Sequence, residues 1–243
     1  MAGLAVVLAG AASVVIAPAV PATAAVTATK VAKCPTVRGH WYGGAWTGTG
    51  ETIGTEVNTI MPSSFYAPHN TTTDEAAWIY DPKTPKRNAI ELGWFQGMWP
   101  YPGRGYGHNF RYAQGYDTFN NGAYGAILTG RLPANEMQFK IADVGGTGTA
   151  LQISDIKTGR FYYAANILYN VHGPRVNLSQ GEVANGGKGA WMGGNHGRGE
   201  ISYGLYEPRN SQNFRRWGSF SMCDNSPYWI RRLGHNEWKN GGK

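Results

Sequence analysis

Short runs of alternating or apolar residues, cut by clusters of Gly, Asn, Pro and Thr roughly every 8 to 15 residues, are the pattern of strands joined by turns. No stretch places apolar residues at helical spacing in the Ala/Leu/Glu/Lys composition of a long helix, which excludes a helical bundle. The breaks come from 35 glycines and 13 prolines among 243 residues. With 42% hydrophobic and only 15% charged residues, the chain has enough apolar side chains for a core, so disorder is excluded as well. The expected strands are Thr52–Ile60, Glu75–Tyr80, Ala89–Phe95, Asn109–Tyr116, Ala123–Leu128, Glu136–Val144, Ala150–Ile156, Arg160–Tyr169, Gly181–Ala184, Gly199–Tyr206 and Gly218–Met222. The turn Lys157-Thr158-Gly159 marks the clearest hairpin, with Phe161, Tyr163, Ala165 and Ile167 on one face of its second strand. Phe139, Ile141, Tyr163 and Ile167 are expected in the core. The architecture implied is an all-β, antiparallel two-sheet sandwich of the jelly-roll or concanavalin-like kind.

Residues 2–25 carry no charge and end in Ala22-Thr23-Ala24, a small-x-small cleavage pattern, so residues 1–24 read as a signal peptide. A transmembrane helix competes, but Pro18 and Pro21 cut the apolar run short of the roughly 20 residues a bilayer needs. Residues 25–40 then form an extension, and 41–243 a single domain that is secreted, monomeric and without membrane contact once the signal is removed. In an oxidising compartment Cys34 and Cys223 suit one disulfide, the alternative being two buried thiols. Such a bond closes a loop of about 190 residues, for which chain entropy gives roughly 5 kcal/mol, and ties the N-terminus to the last expected strand. The net charge of +7 gathers late, at Arg209, Arg215, Arg216, Arg231, Arg232, Lys239 and Lys243. For an exported protein this fits solubility in acid or attraction to anionic wall polymers better than nucleic-acid binding. The two arginine pairs read as a solvated face, or as partners of Asp224 or Glu237.

Two glutamates sit among small and aromatic neighbours on expected strands. In Asn88-Ala89-Ile90-Glu91-Leu92-Gly93-Trp94-Phe95, alternation sends Ile90, Leu92 and Trp94 to one face, and Ala89, Glu91, Gly93 and Phe95 to the other. In Ser179-Gln180-Gly181-Glu182-Val183-Ala184, the residues Gln180, Glu182 and Ala184 share a face. Taken alone, each is also readable as an ordinary surface acid. If both faced one groove they could not ionise together cheaply, so one would keep a proton to donate while the other took a proton from water, which is hydrolase chemistry. Trp94, Phe95, Trp99, Tyr101, Tyr106 and Tyr112 crowd a Gly/Pro-rich stretch, which is either a platform for an extended peptide or sugar or a loop packed by its own rings.

Asn88-x-Ile-Glu91-x-Gly-Trp94, the following Trp99-Pro100-Tyr101-Pro102, the Phe110-x-Tyr112 strand and the later Gly181-Glu182-Val183 together resemble the neprosin family of glutamic endopeptidases. More distantly they resemble the fungal glutamic peptidases, the eqolisins, in which Gln stands in place of the first Glu. The resemblance covers roughly Trp78 to Asn185. It implies a β-sandwich with a concave active-site face, protein or peptide substrates, and Glu91 and Glu182 as the catalytic pair. It also implies Trp78 as a groove residue, and the substrate-binding set is completed by Trp94, Trp99, Tyr112 and Gln180. The mechanism that follows is direct attack by water at acidic pH, with Glu182 as base and Glu91 as proton donor, or with these roles exchanged.

Other hydrolase classes lack their signatures. The six histidines are scattered without H-E-x-x-H or H-x-H, so no metal and no other cofactor is expected. No Gly-x-Ser-x-Gly elbow is present, and the double glycines lack the strand-to-helix setting of a phosphate loop. The remaining rival is a carbohydrate-active sandwich, as a glycoside hydrolase or a glycan-binding module. A hydrolase would need paired carboxylates, whereas a module would need only the aromatic platform.

Overall fold

The computed structural model describes residues 31–35, 38–47, 52–68, 71–81, 83, 89–98, 106–116, 123–145, 148–168, 171, 175–184, 189–208 and 213–243, with the backbone alone for 98, 106–116, 123–130 and 208. The segment read as a signal peptide lies outside these residues. Two eight-stranded sheets, numbered along the chain, make up the described part. The first runs β1 (Ala32–Lys33), β14 (Ser221–Asp224), β2 (Trp41–Trp46), β11 (Val176–Ala184), β4 (Thr72–Tyr80), β5 (Ala89–Met98), β6 (Tyr106–Tyr116), β7 (Ala123–Arg131). The second runs β10 (Phe161–Ile167), β9 (Thr149–Asp155), β8 (Glu136–Asp143), β3 (Thr52–Ile60), β12 (Glu200–Pro208), β16 (Glu237–Gly242), β15 (Tyr228–Arg232), with β13 (Arg215–Arg216) added to β12. Neighbouring strands are antiparallel except β1 and β14.

Alternation builds the core between the sheets. Ala77 and Ile79 on β4 and Ile90, Leu92 and Trp94 on β5 face Val57 on β3, Met137, Phe139 and Ile141 on β8, and Leu151 and Ile153 on β9, all buried. At the other end Trp217 stacks on Trp238 with centroids 4.9 Å apart, and Phe220 meets Trp238 edge-on at 5.4 Å. Room for Trp217 comes from Gly204, where a Cβ would stand 2.4 Å from two ring carbons.

Phe139, Ile141 and Ile167 are in the core as expected, and Tyr163 packs against it half-buried. Phe161 departs from the expectation: a register shift between Phe161 and Tyr163 in the β9–β10 pairing breaks the alternation and leaves Phe161 61% exposed. The expected strands stop at Met222, yet β15 and β16 follow and contribute the buried Ile230 and Trp238. Neither reading of the arginines describes Arg232, whose guanidinium lies 3.6 Å over the Phe220 ring and donates to the carbonyl of His235 at 3.3 Å. Arg215, Arg216 and Arg231 are exposed. Cys34 and Cys223 are bonded, fastening the segment after β1 to β14, which corresponds to the last of the expected strands. Residues 32–34 and 40 thus belong to the folded body, although the sequence places them in an extension.

Candidate active site

Strand β4 is the spine of the site. Its outward residues Asp74, Ala76 and Trp78 alternate with the inward Glu75, Ala77 and Ile79. Across β11, Asp74 is in register with Glu182, Ala76 with Gln180 and Trp78 with Leu178. Across β5 the same three meet Phe95, Gly93 and Glu91. One strand further out, Glu182 faces Tyr42 and Gln180 faces Gly44 on β2. Residues in register on one face hold their Cβ atoms about 5 Å apart, so a row of acids and rings forms at each end of this patch. The Glu182–Asp74 row and the Glu91–Trp78 row are separated by Gln180, Ala76 and Gly93. Gly93 is obligatory there, because a Cβ would stand 2.1 Å from the Glu75 carbonyl oxygen on β4. The middle row therefore carries little bulk between the two acidic ones.

Depth differs along the patch. Glu91 is 5% exposed, whereas the Glu182 and His40 side chains are 16% and 35% exposed. Asp74 and Trp78 are half-buried. Glu182 has a partner for each oxygen. The His40 Nδ1 meets Oε1, and Gln180 Nε2 donates to Oε2 at 3.5 Å. The His40 ring also stacks on Tyr42, with centroids 6.2 Å apart.

Burial, and then the Glu182 charge, hold the Glu91 carboxyl well above its usual range. Asp74 is pushed the same way by burial first, then by Glu182, Glu91 and Glu75. The Tyr42 phenol is raised by burial and by the charges of Glu182 and Asp74. The result is two carboxyls biased toward holding a proton, with the Glu182 charge among the causes for each. That combination can donate a proton and accept one at the same time.

Of the residues singled out in the sequence, Glu91, Glu182, Trp78 and Gln180 are brought to one face of one sheet. Trp94 is a correction. It is 0% exposed, set edge-on to Phe65 at 5.0 Å, and packs between the sheets on the face opposite Glu91, so it belongs to the core and not to a binding surface. Tyr112 is in register with Gly93, with its side chain outside the described residues; Trp99 lies outside them entirely. Sequence reading missed Asp74, His40 and Tyr42. Counting back by two from Trp78 through Ala76 reaches Asp74, but the expected strand began at Glu75 and stopped one residue short. His40 had no local signal, because only the β2–β11 pairing brings it to Glu182.

No family model matches the sequence, and no curated protein matches it. Among solved structures, Scytalido-glutamic peptidase with a transition state analog inhibitor aligns with a TM-score of 0.55 at 10% identity, over 86% of this chain and 100% of that one. The same enzyme with a peptide-based transition state analog gives 0.51 at 10% identity, over 85% and 99%. SCP-B, a member of the eqolisin family in complex with the tripeptide Ala-Ile-His, gives 0.53 at 9%, over 86% and 100%. At such identities the likeness is one of fold: the chain is an all-β sandwich of eqolisin-like architecture.

Proposed function

We propose that the protein is a secreted glutamic-type endopeptidase. The observation that carries the reading is that Glu91 and Glu182, 91 positions apart in sequence, share one face of one sheet, with burial and the Glu182 charge both biasing Glu91 toward its protonated form. Shared architecture with glutamic peptidases supports it, as does the motif resemblance, and the Cys34–Cys223 bond fits an exported protein.

In this reading a peptide lies across the face between Trp78 and Tyr42. Glu182 takes a proton from a water whose oxygen attacks the scissile carbonyl carbon. Protonated Glu91 donates a hydrogen bond to the carbonyl oxygen as it becomes an oxyanion. Collapse of the tetrahedral intermediate breaks the C–N bond, and the proton taken by Glu182 passes to the leaving nitrogen. No covalent intermediate is needed. Because Glu91 and Asp74 must hold their protons, activity belongs to acidic pH.

The test is cleavage of an unfolded protein between pH 3 and 6 by the exported protein. Glu182→Ala and Glu91→Gln are each expected to lower kcat/KM by roughly 10²- to 10⁴-fold with the melting temperature retained, Glu91→Gln keeping more activity because an amide can still donate to the oxyanion. Full activity in either variant, or turnover of β-glucan or chitin in place of protein, would overturn the proposal.

A further inference from the structure

A carboxylate that activates water must be the ionised member of its cluster, and here three carboxyls compete for that place. Strand register does not choose between them, since Asp74 and Glu182 stand directly opposite one another on adjacent strands. Their surroundings do. The titratable and polar groups around Glu182 are Asp74 opposite it on β4, Glu91 two rows along on β5, Tyr42 opposite it on β2, Gln180 on its own strand, and His40 just before β2. Of these only His40 can bring a positive charge, and its Nδ1 is against Glu182 Oε1.

We propose that His40 is the positioning residue of this site: its imidazole fixes Glu182 as the water-activating carboxylate and leaves the protons of the cluster on Asp74 and Glu91. An unperturbed imidazole is cationic below about pH 6.5, so across the acidic range the contact is a charge-assisted hydrogen bond. Stacking on Tyr42 sets the plane of the ring, and Gln180 holds the other oxygen of Glu182, so the carboxylate is clamped from two sides. Above neutrality the imidazole loses its charge, and the clamp weakens as the proposed chemistry shuts off. The consequence for catalysis rests on the peptidase reading, whereas the pairing itself can be measured without turnover.

The first arm of the test is an NMR titration of the histidine side chains in the whole protein. Replacing Glu182 by Gln is expected to lower the His40 midpoint by about one pH unit, while the exposed His235 stays put. The second arm is the pH profile of kcat/KM. In His40→Gln, which keeps a donor but never a charge, the acid limb is expected to move up by about one pH unit; in His40→Ala the plateau also falls roughly tenfold. His235→Gln should match the wild type in both arms. An unmoved His40 midpoint in Glu182→Gln, or a His40→Gln profile that superimposes on the wild type, would overturn the proposal. If His40→Ala fails to fold, the His40→Gln profile and the titration decide. A protein with coupled His40 and Glu182 but no cleavage of any peptide would keep the clamp and overturn only the reaction assigned to it.

Discussion

Asp74 and Glu75 are neighbours in sequence, and because β4 is extended they head two acidic clusters on opposite faces of one sheet. The outer cluster joins Asp74 to Glu182 and Glu91, with His40 and Gln180 as polar partners. The inner one is sealed between the sheets. Glu75, 3% exposed, accepts from Ser179 Oγ at 3.1 Å, Ser202 Oγ at 3.0 Å and Asn240 Nδ2 at 3.0 Å, which links β11, β12 and β16. Glu200, 2% exposed and with no hydrogen-bond partner among the described residues on either carboxyl oxygen, is held well above the usual carboxyl range by burial first, then by the Glu75 charge. Both clusters solve the same electrostatic problem by keeping protons. In the inner one neutral donors fixed in the fold satisfy Glu75, whereas the outer one is held by an ionisable, partly exposed imidazole and opens to solvent. A closed network of this kind stabilises; an open one is free to exchange protons with a bound molecule.

That contrast of faces is tested most severely by tryptophans. Trp94→Ala empties a fully buried site between the sheets and is expected to cost about 3–5 kcal/mol in denaturant unfolding. Trp78→Ala, on the outer face beside Glu91, should cost about 1 kcal/mol or less and instead raise KM several-fold, because its ring is half-buried and faces the proposed groove. Equal losses of stability in the two variants would erase the distinction between the faces. A loss at the lower end of the Trp94→Ala range is expected for Glu75→Ala, which leaves three buried donors without their acceptor and should cost roughly 3 kcal/mol by chemical denaturation. A change under about 0.5 kcal/mol would mean the inner cluster holds nothing together.

The same faces measure what the sequence made legible. Alternation in Ala89–Phe95 was enough to put Glu91 opposite Trp94, and the β5 register agrees residue by residue. Trp94 was nonetheless grouped with the groove aromatics, because composition marks a ring without saying which side of a strand it occupies. Two-sheet architecture was readable from turns and periodicity, since both are local. The β15–β16 hairpin was not, because an arginine-rich strand such as Tyr228–Arg232 gives a charged pattern while its alternate residues fill the core. His40 and Asp74 join the site through pairings across 142 and 108 positions to Glu182, and long-range register leaves no trace in either segment.

The finest separation between the clusters comes from pH. Glu200 has a folded-state pKa above its usual 4.5, so between that value and the higher one the folded protein holds a proton that the unfolded chain has released. Stability from this group is full below about pH 4.5 and declines as pH rises, by about 1.4 kcal/mol per pH unit for each proton so retained. Glu91 and Asp74 are displaced in the same direction and add to the same decline. Glu200→Gln is close in shape and carries no titration, so its unfolding free energy, measured from pH 4 to 8, should fall less steeply than that of the wild type by the slope of one proton. Glu91→Gln should flatten the curve in the same way while lowering kcat/KM, whereas Glu200→Gln should leave the pH profile of cleavage where it was. If Glu200→Gln instead shifted the cleavage profile and left the stability slope unchanged, the acids on the two faces of β4 would form one titrating system through the sheet, and the division between a structural and a reactive cluster would have to be abandoned.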